Sequence, residues 1–132
     1  LLEVEITENT FVASTDMALK TLESLKHMQL GIAIDDFGTG YSCMSYLRDL
    51  PVSKLKIDGS FIAHLGDADA NDGIVKSIIT LGKSLKLTVV GECIETLQQM
   101  HLLRDLGCDL GQGYFHSRPL AAKDVPAFIN QD

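Results

Sequence analysis

Short apolar runs rich in β-branched residues alternate with segments of helical period along this chain. That alternation restricts it to parallel α/β architectures. Five of the runs end in acid, amide or lysine side chains, and a helix-like segment follows each of the first four. The clusters are Glu5 and Glu8 in LLEVEITE, Asp35 and Asp36 in LGIAIDDFGTG, Lys56 and Asp58 in KLKIDGSF, Glu92 and Glu95 in LTVVGECIET, and Asp109 and Gln112 in GCDLGQGY. Parallel strands separated by helices bring all their C-terminal ends to one face, where residues far apart in sequence meet. Crowded carboxylates repel one another unless a cation neutralises them, and hard oxygen ligands suit Mg²⁺ or Mn²⁺. The recurring acids therefore predict a divalent-metal site.

The pattern sets the expected elements. Residues 1–7 alternate apolar and acidic as a strand does. Met17, Ala18, Leu22, Leu25 and Met28 keep helical spacing over 14–28, with Ser14 or Thr15 as N-cap. Strands are expected at 31–35, 54–57, 87–90 and 108–110. A short helix at 43–49 should stop before Pro51, and a polar loop covers 66–72. Ile74, Ile78, Leu81 and Leu85 restore the helical period, and a further helix over 97–106 should be closed by Gly107 in the C′ position. A last amphipathic helix is expected over 121–129. Functional residues on every strand end favour a barrel over an open sheet, which concentrates its site at one switch point.

With 132 residues and 45% hydrophobic content, the chain can bury the core of one small domain. Its formal net charge of −7 argues against a general surface for polymeric nucleic acid, which needs clustered positive charge. An anionic substrate stays compatible, because bound metal reverses the local sign. No apolar run approaches the roughly 20 residues of a membrane span, and no signal peptide is evident, so no membrane contact and a cytoplasmic location are expected. Three cysteines, Cys43, Cys93 and Cys108, lack metal-site spacing and read as reduced, mostly buried thiols. His27, His64, His101 and His116 are scattered over helices and loops and read as solvent-exposed. Leu1 opens directly inside a strand-like run, which suggests that chain once preceded it.

These clusters closely resemble the EAL domain family, bacterial phosphodiesterases that hydrolyse cyclic di-GMP. DDFGTGYSCMSYL is similar to the family's D-D-F-G-T-G-Y-S-S-L-x-Y-L signature, and LLEVEITE to its L-E-I/L-T-E strand. KLKIDGSFI, LTVVGECIET and GCDLGQGYFHSRPL resemble the K-I-D-x-S-F, V-V-A-E-G-V-E-T and Q-G-Y-x-x-S-x-P blocks. The resemblance implies a modified TIM barrel about twice as long as this chain. Residues 1–132 would be the C-terminal half to two-thirds of one such domain, with no second domain. The expected fold is a partial TIM-like (β/α) barrel of about five parallel strands alternating with helices, its N-terminal part missing. The Glu-Ala-Leu motif, its Arg and a metal-binding Asn belong to that missing part. A five-stranded piece would expose strand edges, so the chain alone is expected to be inactive and to associate.

The resemblance also implies roles. Glu5, Asp35, Asp36 and Glu92 would be metal ligands in a two-metal site for Mg²⁺ or Mn²⁺, with Asp35 and Asp36 bridging. Without it, paired aspartates before a Gly-rich loop would more often be a helix cap or a turn. Lys56 would contact the catalytic water and Glu92 would join it in catalysis. Glu8 would hold the FGTGYS loop, which in the family couples catalysis to dimerisation, so a homodimer or other self-association is expected. Asp58, Glu95 and Gln112 would organise loops or contact substrate, although Glu95 also fits as a plain helix N-terminal acid. Departures are few: Gly91 and Cys93 replace Ala and Gly around Glu92, and Gly59 replaces a commonly basic residue. The implied activity is hydrolysis of cyclic di-GMP to linear pGpG. The alternative is a catalytically inactive module that senses cyclic di-GMP or a protein. An enolase-like lyase would use similar Lys and carboxylate chemistry but leaves DDFGTGYS unexplained.

Overall fold

The computed structural model of the chain describes residues 2–8, 16–40, 47–67 and 72–130. Ser14, Thr15, Cys43, Tyr41 and Ser42, most of the helix expected at 43–49 and part of the 66–72 loop lie outside them. Among the described residues the order is β1 (Glu3–Thr7), α1 (Asp16–His27), β2 (Gly31–Phe37), β3 (Lys54–Ile57), α2 (Gly59–Ala63), α3 (Asp72–Ser84), β4 (Thr88–Gly91), α4 (Leu97–Asp105), β5 (Leu110–Gly111) and α5 (Val125–Ile129). The strands form one parallel sheet in sequential order β1-β2-β3-β4-β5. Sequential parallel order is that of a (β/α) barrel, and the five strands make up part of one.

The register sorts the sheet into two chemically different faces. Glu3, Glu5, Ala33, Asp35, Lys54, Lys56, Thr88 and Val90 share one face, because paired residues of parallel strands project together. Ile32, Ile34, Leu55, Ile57 and Val89 share the other, and all are essentially buried. Against that apolar face pack Ile62 of α2, Val75, Ile78 and Ile79 of α3, and Leu103 of α4. The helices therefore cover one side and leave the charged side to the interior of the barrel.

Three helices end the same way, which delivers each following strand in register. After α1 the N–H of Gln29 donates to Lys26 O and that of Leu30 to Leu25 O, with Gln29 at φ 60°. After α3 the pairs are Lys86 to Lys83 O and Leu87 to Gly82 O, and after α4 they are Gly107 to Arg104 O and Cys108 to Leu103 O. This is the Schellman arrangement, with the left-handed residue at C′. Gly107 occupies the position expected for it. Thr96 caps α4 in a capping box with Gln99.

Several expectations are corrected. Met17 and Met28 keep helical spacing but are exposed, so α1 buries a narrower face centred on Leu22. In α3 Val75, not the exposed Ile74, enters the core. The fifth strand is Leu110–Gly111 and starts later than residue 108, because Cys108 and Asp109 finish the Schellman turn and dock on β4. The last helix is cut to Val125–Ile129, with Pro126 in its first turn. Cys93 is exposed rather than buried, while Cys108 is half-buried. All four histidines are exposed.

Candidate metal and catalytic site

Two adjacent residues of a regular strand point to opposite faces, so Asp35 and Asp36 could not both serve one site without a local irregularity. The structure supplies it. Ile34 pairs with Leu55 and Phe37 with Ile57, so β2 spends one residue more than β3 over that interval. The extra residue is a β-bulge, and Asp36 sits at φ 53° within it. Asparagine and aspartate tolerate this left-handed region better than most residues. The bulge turns Asp36 to the side Asp35 already faces. Carboxylate oxygens of Asp35, Asp36 and Glu92 consequently lie within 4.8 Å of one another.

Lys56 is the hub of the site. Its Nζ lies 2.6 Å from Glu5 Oε1, 2.7 Å from Glu92 Oε1 and 3.0 Å from Asp35 Oδ1, and its side chain is 6% exposed. Lys54 and Glu3 repeat the pairing one layer below, at 2.7 Å. Glu5 thus reaches the cluster through Lys56, whereas Asp35, Asp36 and Glu92 form the compact oxygen group. Asp58 caps α2, accepting from Ser60 N at 2.9 Å and from Ser60 Oγ, and its charge acts on Asp36.

The local electrostatics follow from five carboxylates around one ammonium. Burial opposes the charged form of Lys56, but the carboxylates of Glu5, Glu92 and Asp35 around it outweigh that and hold its pKa well above the ordinary lysine value. At Asp35 burial again opposes ionisation, and the adjacent Lys56 ammonium overcomes it, lowering the pKa. Glu92 is raised by burial and by the Asp35 charge, against the pull of Lys56. Asp36 is raised by burial and by the charges of Asp35 and Asp58. Buried Asp35 Oδ1 has the ion pair with Lys56 but no hydrogen bond of acceptable geometry. Three converging hard oxygens with excess negative charge, beside a buried carboxylate oxygen that lacks a hydrogen bond, fit a divalent cation.

A pH dependence follows. Protons return to Asp36 and Glu92 at a higher pH than to ordinary carboxylates, and a protonated carboxyl is a poor ligand. Mn²⁺ affinity of the full-length protein is therefore expected to start falling, as pH drops, before the pH at which ordinary carboxylates protonate. Calorimetric titration as a function of pH checks it, and an affinity that stays flat down to the ordinary carboxylate range would contradict the shifts.

Glu8 reaches the loop after β2 through its side chain. Its side chain is 5% exposed, and Oε2 accepts from the backbone N–H of Gly38 at 2.8 Å and of Gly40 at 3.3 Å. The carboxylate gathers the amides of the loop directly behind the aspartate pair. Glu8→Ala removes the acceptor for both, at about 1.5–3 kcal/mol for charge-assisted bonds in partly buried surroundings. Turnover is expected to fall about 10- to 100-fold while the melting temperature drops by about 5–10 °C. Equal loss of stability and of activity would make Glu8 a general fold residue.

The remaining residues divide. Glu95 is exposed, and its backbone N–H donates to Gln99 Oε1, which places it just ahead of the α4 cap. Gln112 joins the site region through its backbone, donating to Gly91 O and accepting from Ile94 N. Asp109 does not belong to the acidic face at all. It accepts from Val89 N at 2.8 Å and pairs with Lys83 at the opposite end of the strands, and those partners lower its pKa. Its position before a strand rather than after one is the signal that separates it from the others.

Comparison with known proteins identifies relatives of the chain in both sequence and fold. A sequence model of the EAL domain matches residues 1–119. The chain is 44% identical over 126 residues to the bifunctional diguanylate cyclase/cyclic di-GMP phosphodiesterase MucR of Pseudomonas aeruginosa, covering 96% of this chain and 18% of that protein. It superposes on the PaMucR phosphodiesterase in complex with c-di-GMP with a TM-score of 0.86 and 45% identity, over 92% of this chain and 49% of that one. A manganese/cy-diGMP complex of Klebsiella pneumoniae BlrP1 gives a TM-score of 0.78 and 35% identity, over 87% and 29%. The chain thus spans about half of the first structure and under a fifth of the curated relative.

Proposed function

This chain belongs to the EAL domain family, and from that membership we propose that the domain it helps to build hydrolyses cyclic di-GMP to linear pGpG. The observation that carries the reading is the Lys56 ammonium held by Glu5, Asp35 and Glu92 beside the Asp35, Asp36, Glu92 oxygen group. Residues 1–132 are read as the C-terminal half to two-thirds of that domain, in line with their coverage of the MucR structure.

Asp35, Asp36 and Glu92, with Glu5 close by, would hold Mg²⁺ or Mn²⁺. Bound there, the cation supplies Lewis-acid activation of water and neutralises charge on the phosphate. Lys56 stays protonated, so it cannot take a proton from water; it donates hydrogen bonds to the nucleophile and offsets the carboxylates. Glu92, whose pKa is raised by burial while that of Asp35 is lowered, is a better proton acceptor than Asp35 and sits against Lys56. Water oxygen bonds to phosphorus, one ring P–O bond breaks, and the departing oxygen takes up a proton to leave the linear dinucleotide. Asp58, Glu95 and Gln112 shape the surrounding loops. A non-catalytic sensor would not require this charge arrangement, which supports turnover over mere binding.

The substrate, a diffusible cyclic dinucleotide, fits a cytoplasmic location, and no helix among the described residues is long and apolar enough to cross a membrane. Self-association as a homodimer through the loop after β2 is part of the proposal. Cyclic di-GMP turnover by the full-length protein with Mg²⁺ or Mn²⁺, abolished by chelator and restored by metal, is the expected result. Tight binding of the dinucleotide without turnover would establish the sensor instead.

A further inference from the structure

The ends of the neighbouring strands β3 and β4 carry Asp58 and Glu92, and one small contact sets the gap between them. Ile57 ends β3, followed by Asp58 and Gly59; Gly91 ends β4, followed by Glu92 and Cys93. A methyl group on Gly59 would lie 2.6 Å from Cys93 Sγ and 2.7 Å from Cys93 Cβ. The Cys93 side chain therefore occupies the notch that a side chain at 59 would otherwise fill. It does so from a φ of 53°, a left-handed conformation that a residue bearing a Cβ adopts at an energetic cost. A glycine at 93 would avoid that cost but leave the notch empty beside a glycine at 59.

The contact lies between functional neighbours. Glu92 N–H donates to Ile57 O at 3.3 Å, so the β4 loop hangs on the end of β3 by one long bond and by the Cys93–Gly59 contact. Asp58 stands on one side of the gap, where its charge reaches Asp36; Glu92 stands on the other, within the oxygen group. We infer that Cys93 is a positioning residue: its side chain, seated on Gly59, fixes the spacing between the β3 and β4 ends and so the placement of Glu92 toward a divalent cation. The inference rests on the metal-site reading above. It gives Cys93 a steric role only, and an exposed thiol in acidic surroundings is a weak nucleophile in any case.

Because the role is steric, size and not sulfur chemistry should matter. Four variants of the full-length protein test it: Cys93→Gly, Cys93→Ser, Gly59→Ala and the double Gly59→Ala/Cys93→Gly. The readouts are Mn²⁺ affinity by calorimetry and the melting temperature without metal. Cys93→Gly is expected to raise the melting temperature, by relieving the left-handed strain, while weakening Mn²⁺ binding about 5- to 10-fold. A merely structural residue would move both in the same direction. Cys93→Ser should stay within about twofold of the parent, since it nearly preserves volume. Gly59→Ala should weaken binding, and the double variant should recover most of that loss, because one Cβ again fills one notch. Mn²⁺ affinity unchanged in Cys93→Gly overturns the inference, as does a double variant no better than Gly59→Ala. If Gly59→Ala fails to fold, Cys93→Gly against Cys93→Ser still decides. Should the parent bind Mn²⁺ without hydrolysing cyclic di-GMP, the functional reading fails while this inference remains open to the same affinities.

Discussion

Lys56→Met is expected to lower cyclic di-GMP turnover by about a thousandfold while leaving Mn²⁺ binding intact or tighter, when assayed in the full-length protein. The split follows from what the ammonium touches. Its Nζ shares Asp35 Oδ1 and Glu92 Oε1, at 3.0 and 2.7 Å, and both residues belong to the oxygen group that fits a divalent cation. Removing one positive charge a few ångströms away makes that group more attractive to a second cation, and methionine matches the length of the lost side chain closely enough to limit repacking. The metal-free protein should lose about 1–3 kcal/mol, because Glu5, Asp35 and Glu92 are then left facing one another. Saturating Mn²⁺ should restore much of that stability through binding to the folded state. The missing activity would not return, since no other cationic side chain is within reach of the three carboxylates among the described residues. Loss of metal binding in parallel with turnover would make Lys56 a structural counter-ion instead.

Much of this was legible in the sequence, and the parts that were not share a cause. The run KLKI predicts β3 at 54–57, where it is found, because alternation of two lysines with Leu55 and Ile57 states both the strand and its two faces. Asp35, Asp36, Lys56 and Glu92 were expected to meet, and they do; parallel topology brings the strand ends together and accounts for Asp35, Lys56 and Glu92. How Asp36 comes to share a face with Asp35 was not legible. The bulge is a property of the pairing between β2 and β3, not of either run. Asp109 was misplaced for a related reason: an acid beside an apolar run looks the same before a strand as after one until the turn preceding it is resolved. Gly59 and Cys93 were each visible as departures from the family pattern, yet their complementarity needs two strand ends side by side. Local period is written in the chain; contacts between loops 34 residues apart, from 59 to 93, are not.

The second large effect concerns such a contact. Gly113→Ala is expected to cost about 3 kcal/mol, lowering the melting temperature by about 10 °C, and to weaken Mn²⁺ binding. A Cβ at residue 113 would lie 2.2 Å from both the N and the O of Ile94, and 2.7 Å from its carbonyl carbon. Neither chain can retreat cheaply. Ile94 is 1% exposed, its N–H donates to Gln112 O at 3.0 Å, and its O accepts from Phe115 N at 2.9 Å. Gln112 N–H in turn donates to Gly91 O at 2.9 Å, at the end of β4. Separating the loops to admit a methyl group would break these bonds and shift the segment that carries Glu92, two residues before Ile94. Gly111→Ala is the matched control. Its Cβ would meet the Ile94 Cδ1 at 2.6 Å, a side-chain tip rather than backbone, so a smaller loss of about 1–2 kcal/mol is expected with Mn²⁺ affinity unchanged. The same substitution two residues apart thus separates a clash with backbone from a clash with a side-chain tip. Equal losses in the two variants would mean that the loops after β4 and β5 do not hold each other as closely as these distances require.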